Sequence, residues 1–138
     1  MVKIEVLKKR LEQLNLSLNK IKRYQKLSLE EFLEDDIVQD VVEYNLFIAV
    51  NMIVDIAVHI VVDNNLGSPI TMAEAFEILY KEKYISKDDM ITYKNMVAFR
   101  NILSHEYVKI DKKMVYDIMI NNLSDFERFI LFINDNFI

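Results

Sequence analysis

Asp36-Ile-Val-Gln-Asp40-Val-Val-Glu-Tyr-Asn45-Leu-Phe-Ile-Ala-Val50-Asn-Met-Ile-Val-Asp55-Ile-Ala-Val-His-Ile60-Val-Val-Asp-Asn64 is the most apolar stretch of the chain. No strand-period alternation runs through it, and it is far longer than a strand. It predicts one long helix over residues 36–64. The acids Glu34, Asp35 and Asp36 favour its start. It is expected to stop at Asn64-Asn65-Leu66-Gly67, with Gly67 in the left-handed conformation and Pro69 unable to continue a helix. Residues 46–62 are apolar enough to raise the question of a membrane span. Asn51, Asp55 and His59 interrupt them, however, and the run is shorter than the roughly 20 residues a span needs. A buried core helix is the better reading.

Working outward, Ile4, Leu7, Leu11, Leu14, Leu18 and Ile21 alternate by threes and fours, so a first amphipathic helix packs one apolar seam. Ser28-Leu29-Glu30-Glu31 and Thr71-Met72-Ala73-Glu74 carry the capping-box pattern and each opens a short helix, the second running through Glu82. Ser86 caps a helix through Met90, Tyr93, Val97 and Leu103. Asp111 caps a last one with Val115, Ile118, Met119, Phe126, Phe129, Ile130 and Ile133 on its apolar positions. The expected fold is all-α: an antiparallel up-and-down four-helix bundle with one or two short extra helices.

With 138 residues, 52% of them hydrophobic, and neither a linker nor a repeat, the chain reads as a single helical domain over residues 1–138. One glycine and one proline leave little room for the turns of an all-β fold. The absence of cysteine excludes a disulfide framework and thiolate metal sites. Met1-Val2-Lys3-Ile4-Glu5 runs straight into an amphipathic pattern, without a signal peptide's apolar core, which predicts a cytoplasmic protein. A net charge of −5 argues against general nucleic-acid affinity, so RNA would need a local basic patch. Lys20, Lys22, Arg23 and Lys26, or Lys81 and Lys83, are candidates.

Chemistry concentrates in Arg100-Asn101-Ile102-Leu103-Ser104-His105-Glu106-Tyr107. An arginine is a fixed cation for phosphate and a histidine moves protons near neutral pH, the two roles that metal-free phosphodiester cleavage needs. Asn101 can orient the imidazole or bind a phosphate oxygen. At about 100° per residue, Arg100 and Tyr107 share a helix face while Arg100 and His105 sit roughly 140° apart. Either the helix unwinds near Ser104, or two copies of the motif meet across an interface.

On the long helix Asn51, Asp55, His59 and Asp63 recur every fourth residue, a polar ridge that needs partners if buried. It could support the arginine segment, line a solvent edge or dimer seam, or hold a divalent metal at Asp55, His59 and Asp63. The last is the weakest, because one imidazole between two carboxylates on one helix is a poor ligand pattern.

Taken with its surroundings, the motif resembles the HEPN superfamily, and within it the HepT-like toxins of prokaryotic toxin–antitoxin pairs. The resemblance extends from about residue 36 to the final helix. It is carried by Asp55-Ile56-Ala57-Val58-His59, Pro69 after the glycine, Met96-Val97-Ala98-Phe99-Arg100-Asn101, and His105 with Tyr107. It implies a homodimer or higher oligomer in which two motifs line one cleft, and endoribonuclease chemistry that needs no metal and no cofactor. Arg100 and His105 would be catalytic, Asn101, Asp55 and His59 supporting. Tyr107 would be the residue adenylylated by a nucleotidyltransferase antitoxin. A non-catalytic bundle that serves as partner and substrate of such a transferase is the alternative.

Overall fold

The structure, a computed structural model, describes residues 2–105 and 109–138. They contain seven helices and no strand: α1 (Ile4–Lys22), α2 (Leu29–Glu34), α3 (Asp36–Asp63), α4 (Met72–Lys81), α5 (Lys87–Leu103), α6 (Lys112–Asn121) and α7 (Leu123–Phe137).

Helix α3 is the hub and packs against every other helix. Leu46, Ala49, Ile53, Ile56, Ala57, Ile60 and Val61 are fully buried along it, which explains an apolar run too wide for a single amphipathic stripe. By length and composition it is long and apolar enough to cross a membrane; here it is the axis of the bundle. The α1 seam of Leu7, Leu11, Leu14, Leu18 and Ile21 closes on it. Burying one such side chain is worth roughly 1.5–3 kcal/mol, against roughly 1 kcal/mol for a cap. Burial therefore decides that these helices form, and the caps decide where they begin.

The caps fall where the sequence puts them, with one variation. Ser28 accepts from the Glu31 N–H, and the Glu31 carboxylate accepts from the Ser28 N–H in return. The Ser28 backbone bond, followed by its hydroxyl, holds the Glu31 carboxyl below the ordinary glutamate range. Asp35 caps α3, Ser86 caps α5 and Asp111 caps α6. Thr71 accepts from the Glu74 N–H, but the Glu74 carboxylate reaches one residue further back and takes the Ile70 N–H at 3.1 Å.

Two expectations change. At the end of α3 the left-handed residue is Asn65, with φ 56°, and not Gly67. The Leu66 N–H bonds to the Val61 carbonyl and the Asn65 N–H to that of Val62, a Schellman closure that asparagine tolerates. Gly67 answers a packing need instead, since a β-carbon there would lie 2.9 Å from Cδ1 of Ile78. The last predicted helix is also broken at Asn122, whose side-chain amide donates to Asp125 at 3.0 Å just before α7 begins. Helix α6 packs on α2 and α3 while α7 packs on α1 and α3. The short helices therefore number three, α2, α4 and α6, where one or two were expected.

Candidate active site

Arg100 lies in the last turn of α5, half-buried against α3. Its guanidinium carbon sits 4.7 Å from the centre of the Phe47 ring, inside the roughly 6 Å reach of a cation–π contact. Its Nε donates to Oδ1 of Asn51 at 2.8 Å, and Nη1 donates to Oδ1 of Asn101 at 3.2 Å. Among the described residues, every group fixing this cation is uncharged. Among the described residues no carboxylate lies within ion-pair distance of Arg100, whereas Arg10 pairs with Asp55, and Arg128 with Asp89 and Asp125.

Helix α5 ends at Leu103. The Ser104 N–H still reaches the Arg100 carbonyl at 3.0 Å, its hydroxyl donates to the Asn101 carbonyl at 2.8 Å, and the His105 N–H reaches Ile102 at 3.2 Å. His105 then stands outside the helix and exposed. Of the two routes open from the sequence, the helix does stop near Ser104, so the 140° separation of a continuous helix no longer constrains the imidazole. The same ending removes the helical arithmetic that placed Tyr107 on the face of Arg100. Tyr107 itself lies outside the described residues.

The polar ridge divides. Asn51 faces α5 and holds Arg100, while Asp55 faces α1 and forms an ion pair with Arg10. Four residues advance an α-helix by 40° more than a full turn, so successive members of the ridge point to different neighbours. His59 lies between the two acids, Nε2 3.8 Å from Asp55 and Nδ1 3.7 Å from Asp63. The carboxylates bracket the ring from opposite sides and do not converge with it on one point. Among the described residues no cluster of His, Cys, Asp and Glu has the arrangement of a metal site. Asp55 and His59 thus sit with Arg10 and Asp63, and within one chain the Arg100 contacts are with Asn51, Phe47 and Asn101.

Phe47 and its neighbours escaped the sequence reading. Extending the ridge one turn back from Asn51 reaches Phe47, and this is the signal that could have found it. Beside it, Glu43, Tyr44, Phe47, Leu103 and Ser104 line a groove of about 290 Å³. Lys112, at the start of α6, donates to Glu43 at 2.7 Å, which neutralises a carboxylate only 12% exposed. The lysines considered as an RNA patch lie elsewhere, and Lys22 is paired with Glu127 at 2.6 Å.

The chain as a whole has relatives among known proteins. The ribonuclease HepT-like family matches the chain over residues 14–133. The mRNA nuclease HepT of Shewanella oneidensis is 33% identical over 100 residues, covering 72% of this chain and 75% of that protein. The tri-AMPylated Shewanella oneidensis HEPN toxin, solved in complex with its MNT antitoxin, superimposes with a TM-score of 0.90. It is 26% identical, with 97% of this chain and 100% of that one covered. A toxin–antitoxin structure with AMP-PNP gives 0.89 at 27% identity, over 96% and 99% of the two chains. The cytosolic protein YutE from Bacillus subtilis shares the fold alone, with a TM-score of 0.83, 16% identity and 97% and 90% coverage. A family match over residues 14–133 and a relative 33% identical over most of both chains lead to one conclusion: the chain belongs to the ribonuclease HepT-like family.

Proposed function

We propose that this protein is a metal-independent endoribonuclease toxin, active as a homodimer in the cytoplasm and silenced by a nucleotidyltransferase antitoxin that adenylylates Tyr107. The observation that carries the reading is Arg100, a half-buried cation fixed by an amide and an aromatic ring with no carboxylate partner among the described residues. Among the described residues its Nη2 edge has no hydrogen-bond partner and suits a phosphate, which guanidinium binds through parallel N–H donors. An arginine in this role supplies the electrostatic stabilisation that a metal would otherwise give.

The chemistry follows from these groups. A ribose 2′-hydroxyl attacks the adjacent phosphorus, a P–O2′ bond forms, and the P–O5′ bond breaks. The base takes the 2′-hydroxyl proton, and the acid gives one to the departing 5′-oxygen, leaving a 2′,3′-cyclic phosphate. His105 can serve in either role. The chain has two histidines, and the second, His59, is bracketed by Asp55 and Asp63 on α3. Two protomers facing one another would bring two His105 side chains to one phosphate, one as base and one as acid. Asn101, Ile102, Ser104 and His105 are all exposed, so a second copy opposite them would complete the cleft.

Expression of the wild type in cells lacking the antitoxin is expected to stop growth with fragmentation of cellular RNA, and Arg100→Ala to relieve both. Growth arrest by wild type and Arg100→Ala alike, with RNA intact, favours the non-catalytic partner instead. Sedimentation at micromolar concentration is expected to give a dimer. A monomer that cleaves RNA at full rate removes the composite site from the mechanism.

A further inference from the structure

The groove beside Arg100 has the composition of a base pocket. Tyr44 is 64% exposed on α3, whose other exposed residues lie nearer its two ends. It stands one turn before Phe47, whose ring carries the Arg100 guanidinium. Residues three apart on a helix are neighbours, so an anion on Arg100 and a group on Tyr44 are separated by the scale of one nucleotide. The groove's volume of about 290 Å³ falls at the small end of ligand pockets, which run from roughly 300 Å³ upward.

Glu43 adds a polar reader to this apolar slot. Its Oε2 accepts from Lys112, and its second oxygen keeps acceptor capacity. A bare carboxylate would repel RNA. The Lys112 pair cancels that charge and leaves an oriented acceptor, the reverse of Arg100, where no acid among the described residues cancels the cation. An exposed aromatic ring, a neutralised acceptor and an adjacent phosphate-binding arginine are the elements by which proteins hold an unstacked base of single-stranded RNA.

Resting on the ribonuclease reading above, we propose that Tyr44 and Glu43 form a base-binding subsite. A nucleobase next to the scissile phosphate stacks on Tyr44 and donates an exocyclic amino hydrogen to Glu43. Adenine, cytosine and guanine offer that donor, as Glu and Asp use it when they read cytosine. Uracil presents two carbonyls around its one N–H and is disfavoured. Tyr44 and Glu43 are thus specificity-determining, and Arg100 and His105 act on whichever phosphate the subsite presents.

The test uses the full-length protein and four short single-stranded RNAs that differ only in the base beside the cleavage site, together with their uncleavable 2′-O-methyl versions. Tyr44→Ala is expected to raise KM and the dissociation constant of the uncleavable RNA by about 5- to 100-fold, the loss of one stacked base. Tyr44→Phe keeps the ring and should restore most of that affinity. Glu43→Gln should reorder the four RNAs in favour of uracil while its melting temperature stays near that of the wild type. Wild-type affinity and base preference in both Tyr44→Ala and Glu43→Gln would overturn the subsite. So would Tyr44→Ala sedimenting as a monomer while the wild type is a dimer, since a second copy then covers the groove. If the wild type binds the uncleavable RNA and Tyr44→Ala loosens it, but neither cuts RNA, the subsite stands and the nuclease reading falls. A wild type that neither binds nor cuts RNA removes both.

Discussion

His105→Ala is expected to slow RNA cleavage on the order of 10²- to 10⁴-fold, the usual cost of removing a general acid or base. The loss should appear in kcat, with KM little changed, because in the proposed mechanism Arg100 holds the phosphate and the histidine moves protons only as bonds change. The fold should not suffer. His105 lies beyond the end of α5, is exposed, and belongs to no part of the buried core. The melting temperature of the variant is therefore expected to match the wild type, and cleavage by the wild type to survive excess chelator. A well-folded His105→Ala protein that cuts as fast as the wild type would place proton transfer elsewhere. Sensitivity to chelator, restored by a divalent ion, would replace the arginine mechanism with a metal-assisted one.

The all-helical class was legible because its determinants are local. Ser28, Thr71, Ser86 and Asp111 each cap the helix their sequence position announces, since a cap needs only a side-chain oxygen two or three residues before a backbone N–H. The misplaced details are those in which a neighbour decides. Gly67 looked like the residue that turns the chain, but Asn65 adopts the left-handed conformation and Gly67 makes room for Ile78, a contact eleven residues away. The break at Asn122 separates a helix that packs on α2 from one that packs on α1, both also against α3, and no proline or glycine marks it.

The site divides in the same way. Arg100, Asn101 and His105 are readable as a motif because they lie within six residues of one another. Apart from Asn101 beside it, what holds Arg100 comes from α3, some fifty positions earlier, and only tertiary packing selects Asn51 from a ridge of four similar candidates. The slow rotation of that ridge sends Asp55 to α1, where Arg10 neutralises it. Phe47 is marked only by its place one turn before the ridge, and Tyr44 by nothing, since both are aromatic residues in an apolar helix, where burial is the ordinary expectation. Their importance depends on the Arg100 side chain lying across one and leaving the other exposed.

Tyr107→Phe is expected to keep full toxicity and to escape the antitoxin altogether. Adenylylation joins the phenol oxygen to the α-phosphorus of ATP, releases pyrophosphate and returns the phenolic proton to solvent; phenylalanine has no oxygen to join. On the wild type the new phosphodiester brings a negative charge and an adenosine to a position seven residues from Arg100 and two from His105 in sequence. That phosphate competes for the guanidinium that should receive RNA, and the nucleoside obstructs its approach. The HEPN toxin of Shewanella oneidensis, with the same fold at 26% identity, is known in a tri-AMPylated form with its MNT antitoxin. Intact-mass spectrometry after incubation with the antitoxin, ATP and magnesium is expected to find AMP on the wild type and none on Tyr107→Phe, with RNA cleavage abolished in the first and retained in the second. Equal adducts on both proteins would assign the modification to another residue. Inhibition of both without any adduct would make the antitoxin a direct mask of the cleft, with Tyr107 no longer its control point.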